Sequence, residues 1–136
     1  MNRIIAIVSC KGGVGKTFAS LNIGLALHKF GENVTVVDAD VTASNLGLQL
    51  GLYSFPATLQ DVISGQKTIH EAIFTTEQGL RIIPSSISLD KIDANIEGLA
   101  QILKDIEGTI IIDSPPGLGI DVMSVLDACD QVLAIG

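Results

Sequence analysis

One stretch near the start constrains the fold more than any other. Residues 4 to 9 read IIAIVS, residues 10 to 15 read CKGGVG, and TFASLNIGLALHKF runs from Thr17 to Phe30 with Gly31 behind it. A short, β-branched apolar run bounded by glycines reads as a strand buried on both faces. The segment that follows is long enough for a helix, is apolar on most sides, and has a glycine where such helices stop. Strand, glycine-rich turn and helix in immediate succession imply a crossover back onto the same sheet, the start of a parallel α/β arrangement.

The rest of the chain repeats the pattern. NVTVVDAD (33 to 40) gives a second buried strand that ends in carboxylates, LRIIPSS (80 to 86) a third, TIIIDSPPG (109 to 117) a fourth halted by prolines, and QVLAIG (131 to 136) a fifth. Between them, Leu99, Ile102, Leu103 and Ile106 fall at helical spacing and mark an amphipathic helix closed by Gly108, and Val122, Val125, Leu126 and Cys129 repeat the spacing, which makes Cys129 a core-facing residue. Thr58 with Asp61, and Thr68 with Glu71, have the spacing of capping boxes that open short helices. Strands separated by helices predict a doubly wound, mainly parallel α/β sheet. The 136 residues fit one domain or part of one. Ending on an apolar strand, they predict an open sheet edge and a chain truncated at its C-terminus.

Composition removes several classes of function. Hydrophobic residues make up 47 % of the chain and charged residues 17 %. Yet no run approaches the roughly 18 consecutive apolar residues of a membrane-spanning helix, and no signal-peptide plan opens the sequence. A cytoplasmic chain is the expectation. The formal charge of −7, with eight Lys and Arg residues scattered along the sequence, disfavours direct binding to nucleic acid. Cys10 and Cys129 are far apart and not in metal-ligand spacing, so no disulfide framework or iron–sulfur site is expected. Cys10 beside a helix start has the setting of a lowered thiol pKa, with no resolving cysteine near it. His28 and His70 lie away from every motif and are read as surface residues.

The chemistry concentrates at strand ends. In the loop, Gly12, Gly13 and Gly15 leave room for phosphate oxygens, and backbone N–H groups at the helix start point at an anion. Lys16 would bridge the terminal phosphates and the Thr17 hydroxyl would bind Mg²⁺. Asp113, closing an apolar strand, sits where a carboxylate holds Mg²⁺ through water. Asp38 and Asp40 end the second strand, at the sheet edge where such folds place ligands. The two also suit simple turn capping. Lys11 taken alone is an ordinary exposed loop lysine.

The usual G-x-x-x-x-G-K-[ST] pattern calls for glycine at position 10, where this chain has Cys10. Lys11-Gly12-Gly13-Val14-Gly15-Lys16-Thr17 instead reads K-G-G-x-G-K-T. That loop resembles the deviant Walker A motif of the MinD/ParA family of ATPases, and the order of motifs over the whole chain, including VVDAD and IIIDSPPGLG, is similar to the MinD branch. The resemblance implies a P-loop NTPase fold of SIMIBI type, with residues 1–136 as the N-terminal part of a single ATPase domain. It implies ATP and Mg²⁺ as cofactors, and nucleotide contacts along Lys11, Gly12, Gly13, Val14, Gly15, Lys16, Thr17 and Phe18. Phe18 replaces a threonine frequent in relatives, so its contact would come from the backbone N–H. It further implies that Asp40 orients or deprotonates the attacking water, that Asp38 supports the metal shell, and that SPPGLG, with Gly117 and Gly119, is a switch segment. Lys11 would reach across a nucleotide-sandwiched homodimer to the partner's phosphates, and so act in catalysis together with Lys16 and Asp40.

The function so implied is a Mg-dependent ATPase switch that dimerises on ATP and answers to a regulatory partner protein. Contact with a membrane surface would need a C-terminal segment beyond residue 136. The alternatives are a ParA-like DNA partition ATPase, an iron–sulfur carrier ATPase of the same superfamily, and a truncated nucleotide-binding relative without catalysis.

Overall fold

The computed structural model describes residues 2–9, 15–40, 45–52, 54–85, 98–115 and 120–135. Strand β1 spans Asn2–Ser9, helix α1 Lys16–Lys29, β2 Val34–Asp38, α2 Asn45–Leu50 and α3 Leu59–Ile63. After a 3₁₀ turn at His70–Ala72 come β3 Phe74–Thr75, β4 Arg81–Ile83, α4 Leu99–Leu103, β5 Gly108–Asp113, α5 Ile120–Ala128 and β6 Gln131–Ile135. The six strands form one sheet in the order β3-β4-β2-β5-β1-β6. Every pairing is parallel except β3 with β4. The mainly parallel α/β architecture expected from the sequence is the one observed.

Period-2 alternation of side chains sorts the core into two layers. Val34, Val36, Ile7, Ile82 and Ile111 face α1 and α2 and pack with Leu21 and Leu46. Ile4, Ala6, Val37, Ile83, Ile110 and Ile112 face the other way and pack with Leu59, Leu99, Leu103 and Val125 of α3, α4 and α5. Because both faces are covered, β2 is buried at every residue and β5 at all but its first, which is why their sequences read as continuous apolar runs. β6 is different: Val132 and Leu133 are 50 % and 43 % exposed, and among the described residues the strand pairs with β1 alone.

Three details depart from the sequence reading. The two-residue strand β3 is too short to leave a periodic signal; it is set by the turn at Thr76–Leu80, where the Thr76 N–H donates to the Leu80 carbonyl at 2.8 Å and the Leu80 N–H to Thr76 Oγ1 at 3.2 Å. Gly108 is not the stop of the preceding helix. α4 ends at Leu103, and Gly108 opens β5 at φ +92°, where a Cβ would collide with the Asn33 carbonyl. Of the two capping boxes, Thr58–Asp61 opens α3, whereas Thr68–Glu71 precedes only the 3₁₀ turn.

Helix α1 lies unusually close to the sheet because Gly24 has no side chain. A Cβ there would sit 2.5 Å from Val36 Cγ2 and within 3.6 Å of Leu80. Alanine at position 24 adds about 1 kcal/mol of helix propensity but overpacks a site where such insertions cost about 1–3 kcal/mol. Gly24→Ala should therefore lower the thermal midpoint. Val36→Ala on that background should recover part of the loss, read by thermal or urea unfolding of the four variants of the cycle.

Candidate functional site

The topology builds the site. β5 lies between β1 and β2 in the sheet, and all three run parallel, so their carboxyl ends share one edge. Chain order visits them as β1, β2, β5, which puts the segments leaving β1 and β2 on either side of Asp113. This is the kind of crevice in which open α/β sheets hold ligands. Asp113 is aligned with Asp38 on one side and Ile7 on the other.

From β1 the chain reaches α1 through Gly15, whose φ of +80° is left-handed and so suited to glycine. The first intrahelical bond runs from the Ala19 N–H to the Gly15 carbonyl at 2.8 Å. The N–H groups of Lys16, Thr17 and Phe18 therefore have no acceptor within the helix. Among the described residues no side chain caps this end, an arrangement suited to an anion.

The side chains of the first turn meet β5. Lys16 is 1 % exposed, and its Nζ donates to Asp113 Oδ1 at 2.6 Å while Thr17 Oγ1 donates to Asp113 Oδ2 at 2.6 Å. One carboxylate thus holds both the ammonium and the hydroxyl. Ser20 Oγ donates back to the Lys16 carbonyl at 2.9 Å, fixing the turn that carries them. Phe18 points outward and is 60 % exposed, so only its backbone lies toward the site.

Asp38 is fully buried beside this cluster. Its Oδ1 accepts the Asp40 N–H at 3.1 Å and its Oδ2 the Leu46 N–H at 3.1 Å. Its main-chain carbonyl accepts Ser85 Oγ at 2.8 Å. Burial pushes the Asp38 carboxyl well above the ordinary carboxylate range, and the nearby Asp113 charge adds to this; the hydrogen bonds from Leu46 and Asp40 pull the other way. Asp40 is also buried, at 5 % exposure. Among the described residues, then, Asp113 meets the Lys16 ammonium directly, and Asp38, aligned with Asp113 across the sheet, keeps its carboxylate on backbone N–H groups.

Lys16, Thr17 and Asp113 come together as a unit, with Asp38 and Asp40 adjacent. Lys11, Gly12, Gly13, Val14, Cys10, Gly117 and Gly119 lie outside the described residues. His70 is exposed and His28 half-buried, the latter packed over Gly79, where a Cβ would meet its Nε2 at 2.9 Å. Cys129 is half-buried and packs against the core; its Sγ donates to the Leu126 carbonyl at 3.3 Å, and burial pushes its thiol up. Sequence reasoning did not anticipate the direct Lys16–Asp113 bond, the Ser85 contact or the Leu46 N–H, because each joins residues that are neighbours only in the folded sheet.

The donor set fits a nucleotide and a hard cation. A hydroxyl and a carboxylate are the oxygen donors that Mg²⁺ prefers, and Mg²⁺ at phosphates takes few protein ligands. In keeping with this, no group of three or more His, Cys, Asp or Glu side chains among the described residues is placed to hold a metal alone.

Comparison with known proteins decides the family. The family described as "AAA domain" matches residues 2–135. The chain belongs to the AAA-domain family, in its MinD/ParA group of P-loop ATPases. It is 41 % identical over 135 residues to an uncharacterised ATP-binding protein of Methanocaldococcus jannaschii, covering 96 % of this chain and 51 % of that protein. It is 40 % identical over 124 residues to the septum site-determining protein MinD of Synechocystis, covering 87 % and 47 %. MinD of Pyrococcus horikoshii, solved with Mg-ADP, superposes with a TM-score of 0.89 at 35 % identity, covering 99 % of this chain and 58 % of that one. The chain thus spans about half the length of the curated relatives it matches. No helix of this MinD/ParA-group chain, among the described residues, is long and apolar enough to cross a membrane.

The buried ion pair makes a testable demand on stability. Removing one partner strands a buried charge, typically at about 3–5 kcal/mol. Lys16→Met and Asp113→Asn should each lower unfolding free energy by about that amount. The double variant should cost less than the sum, read as coupling in a urea-denaturation cycle.

Proposed function

We propose that the chain binds Mg-ATP at the shared edge of β1, β5 and β2 and serves as the nucleotide-binding half of an ATPase switch of MinD type. The observation that carries the reading is the Lys16–Thr17–Asp113 cluster at the open end of α1. It combines an ammonium, backbone N–H groups without an acceptor inside the helix and a pair of hard oxygen donors in one place. The N–H groups of Lys16, Thr17 and Phe18 receive phosphate oxygens, and Lys16 moves its charge from Asp113 to the terminal phosphates. Thr17 and Asp113 would hold the Mg²⁺, which would supply charge neutralisation at the phosphates. Asp40, at the end of β2, orients the attacking water or takes its proton. Gly12, Gly13, Val14 and Gly15 wrap the phosphates with their backbone.

Lys11 has no task in its own site that Lys16 does not already perform. Its role in this reading is to enter the site of a second copy when two chains close on ATP, as a cation supplied in trans. Hydrolysis then separates the pair. Regulation by a partner protein, residence in the cytoplasm and contact with a membrane through further chain complete the MinD-type picture. The net charge of −7 favours it over direct DNA binding of the ParA kind.

Lys11→Ala tests the trans role. The variant should bind Mg-ATP as tightly as the parent in calorimetry, yet lose ATP-dependent pairing in light scattering. Turnover should fall by about 10³-fold, the scale of a trans-supplied cation. Unchanged turnover removes the trans role, and absence of Mg-ATP binding by the parent chain removes the whole reading.

A further inference from the structure

The residue that the phosphate cluster leaves unused is Asp38. Lys16 and Thr17 both bond to Asp113, and neither bonds to Asp38. Its two carboxylate oxygens are turned instead to main-chain N–H groups, one of Asp40 two residues on and one of Leu46 eight residues on. Leu46 belongs to the first turn of α2, and its side chain is fully buried against the α1 face of the sheet. The position of Asp38 is itself fixed from two sides: β5 pairs with it at Asp113, and Ser85, at the end of β4, donates to its carbonyl.

We infer that Asp38 is a positioning residue, whose carboxylate ties Asp40 and the first turn of α2 to the end of β2, and not a ligand of the metal. The inference rests on the phosphate-site reading above for what is being positioned, but the tie itself is a property of the ligand-free chain. A carboxyl group that accepts from the backbone N–H groups of both Asp40 and Leu46 works as a clamp, because moving either one breaks a hydrogen bond in a buried setting. The geometry divides the labour between the two aligned aspartates: Asp113 faces the ammonium and hydroxyl that meet the nucleotide, and Asp38 faces the backbone that carries Asp40. A merely space-filling role for Asp38 would not predict that two particular amides depend on it.

Amide hydrogen exchange on the ligand-free chain, resolved by residue, reads the clamp directly. Asp38→Asn keeps the shape and one acceptor oxygen, so one of the two amides, Asp40 or Leu46, should exchange about tenfold or more faster, while Val36 and Ile111 in the adjoining strands keep their protection. Asp38→Ala should release both amides. Unchanged exchange at Asp40 and Leu46 in Asp38→Asn overturns the inference even if Asp38→Ala fails to fold. Mg²⁺ titration of ADP binding supplies the second arm. Asp38→Asn should leave the half-saturating Mg²⁺ within about threefold of the parent, whereas Asp113→Asn should raise it by about tenfold or more. An equal rise in both variants makes Asp38 a metal ligand and overturns the inference. Failure of the parent chain to bind Mg-ADP sinks the phosphate-site reading, while the exchange result still decides the clamp.

Discussion

The carboxyl edge of the sheet is organised around the bond between Lys16 and Asp113. A lysine ammonium at 1 % exposure is tolerable in a protein interior only against a counter-charge. Asp113 supplies that charge and at the same time accepts the Thr17 hydroxyl. Helix α1 is thereby pinned at its N-terminus to the central strand of the sheet. Farther along, the missing side chain of Gly24 lets the same helix settle onto β2. Helix and strand are thereby held together at the carboxyl edge of the sheet.

That arrangement depends in turn on strand order. Had β5 paired outside β2, Asp113 would lie a strand away from α1, and Lys16 would be a buried charge without a partner. Placing β5 between β1 and β2 aligns Asp113 with Asp38 and brings two carboxylates side by side. Like charges this close cannot share one role at low cost. The structure separates them by partner: Asp113 takes the cation and hydroxyl, and Asp38 takes backbone N–H groups. Burial, with the Asp113 charge adding to it, holds the Asp38 carboxyl above the ordinary carboxylate range, while its hydrogen bonds from Leu46 and Asp40 pull the other way.

The outer strands show where this economy of burial ends. β3 closes one side as a short antiparallel hairpin partner whose Phe74 meets Phe55 edge-on at 5.2 Å. On the other side β6 leaves Val132 and Leu133 in contact with solvent.

Much of this was written in the sequence. Runs such as IIAIVS, NVTVVDAD and TIIIDSPPG announced strands buried on both faces, since only a sheet covered on each side accepts unbroken β-branched stretches. Glycine punctuation marked the loop at residues 10 to 15, and the strand-end carboxylates marked Asp38, Asp40 and Asp113 as the residues to watch. What local pattern could not convey was partnership. The two-residue β3, the place of Gly108 at the start of β5 and the bonds of Asp38 to Leu46 and Ser85 all depend on contacts across the sheet. Periodicity encodes which face of an element is apolar; it carries no record of which element lies beside it. The sequence by itself determined the parallel α/β class and the chemical groups of the site. The tertiary structure decided which carboxylate meets Lys16, because that choice follows from β5 lying between β1 and β2, a matter of strand order and not of residue type.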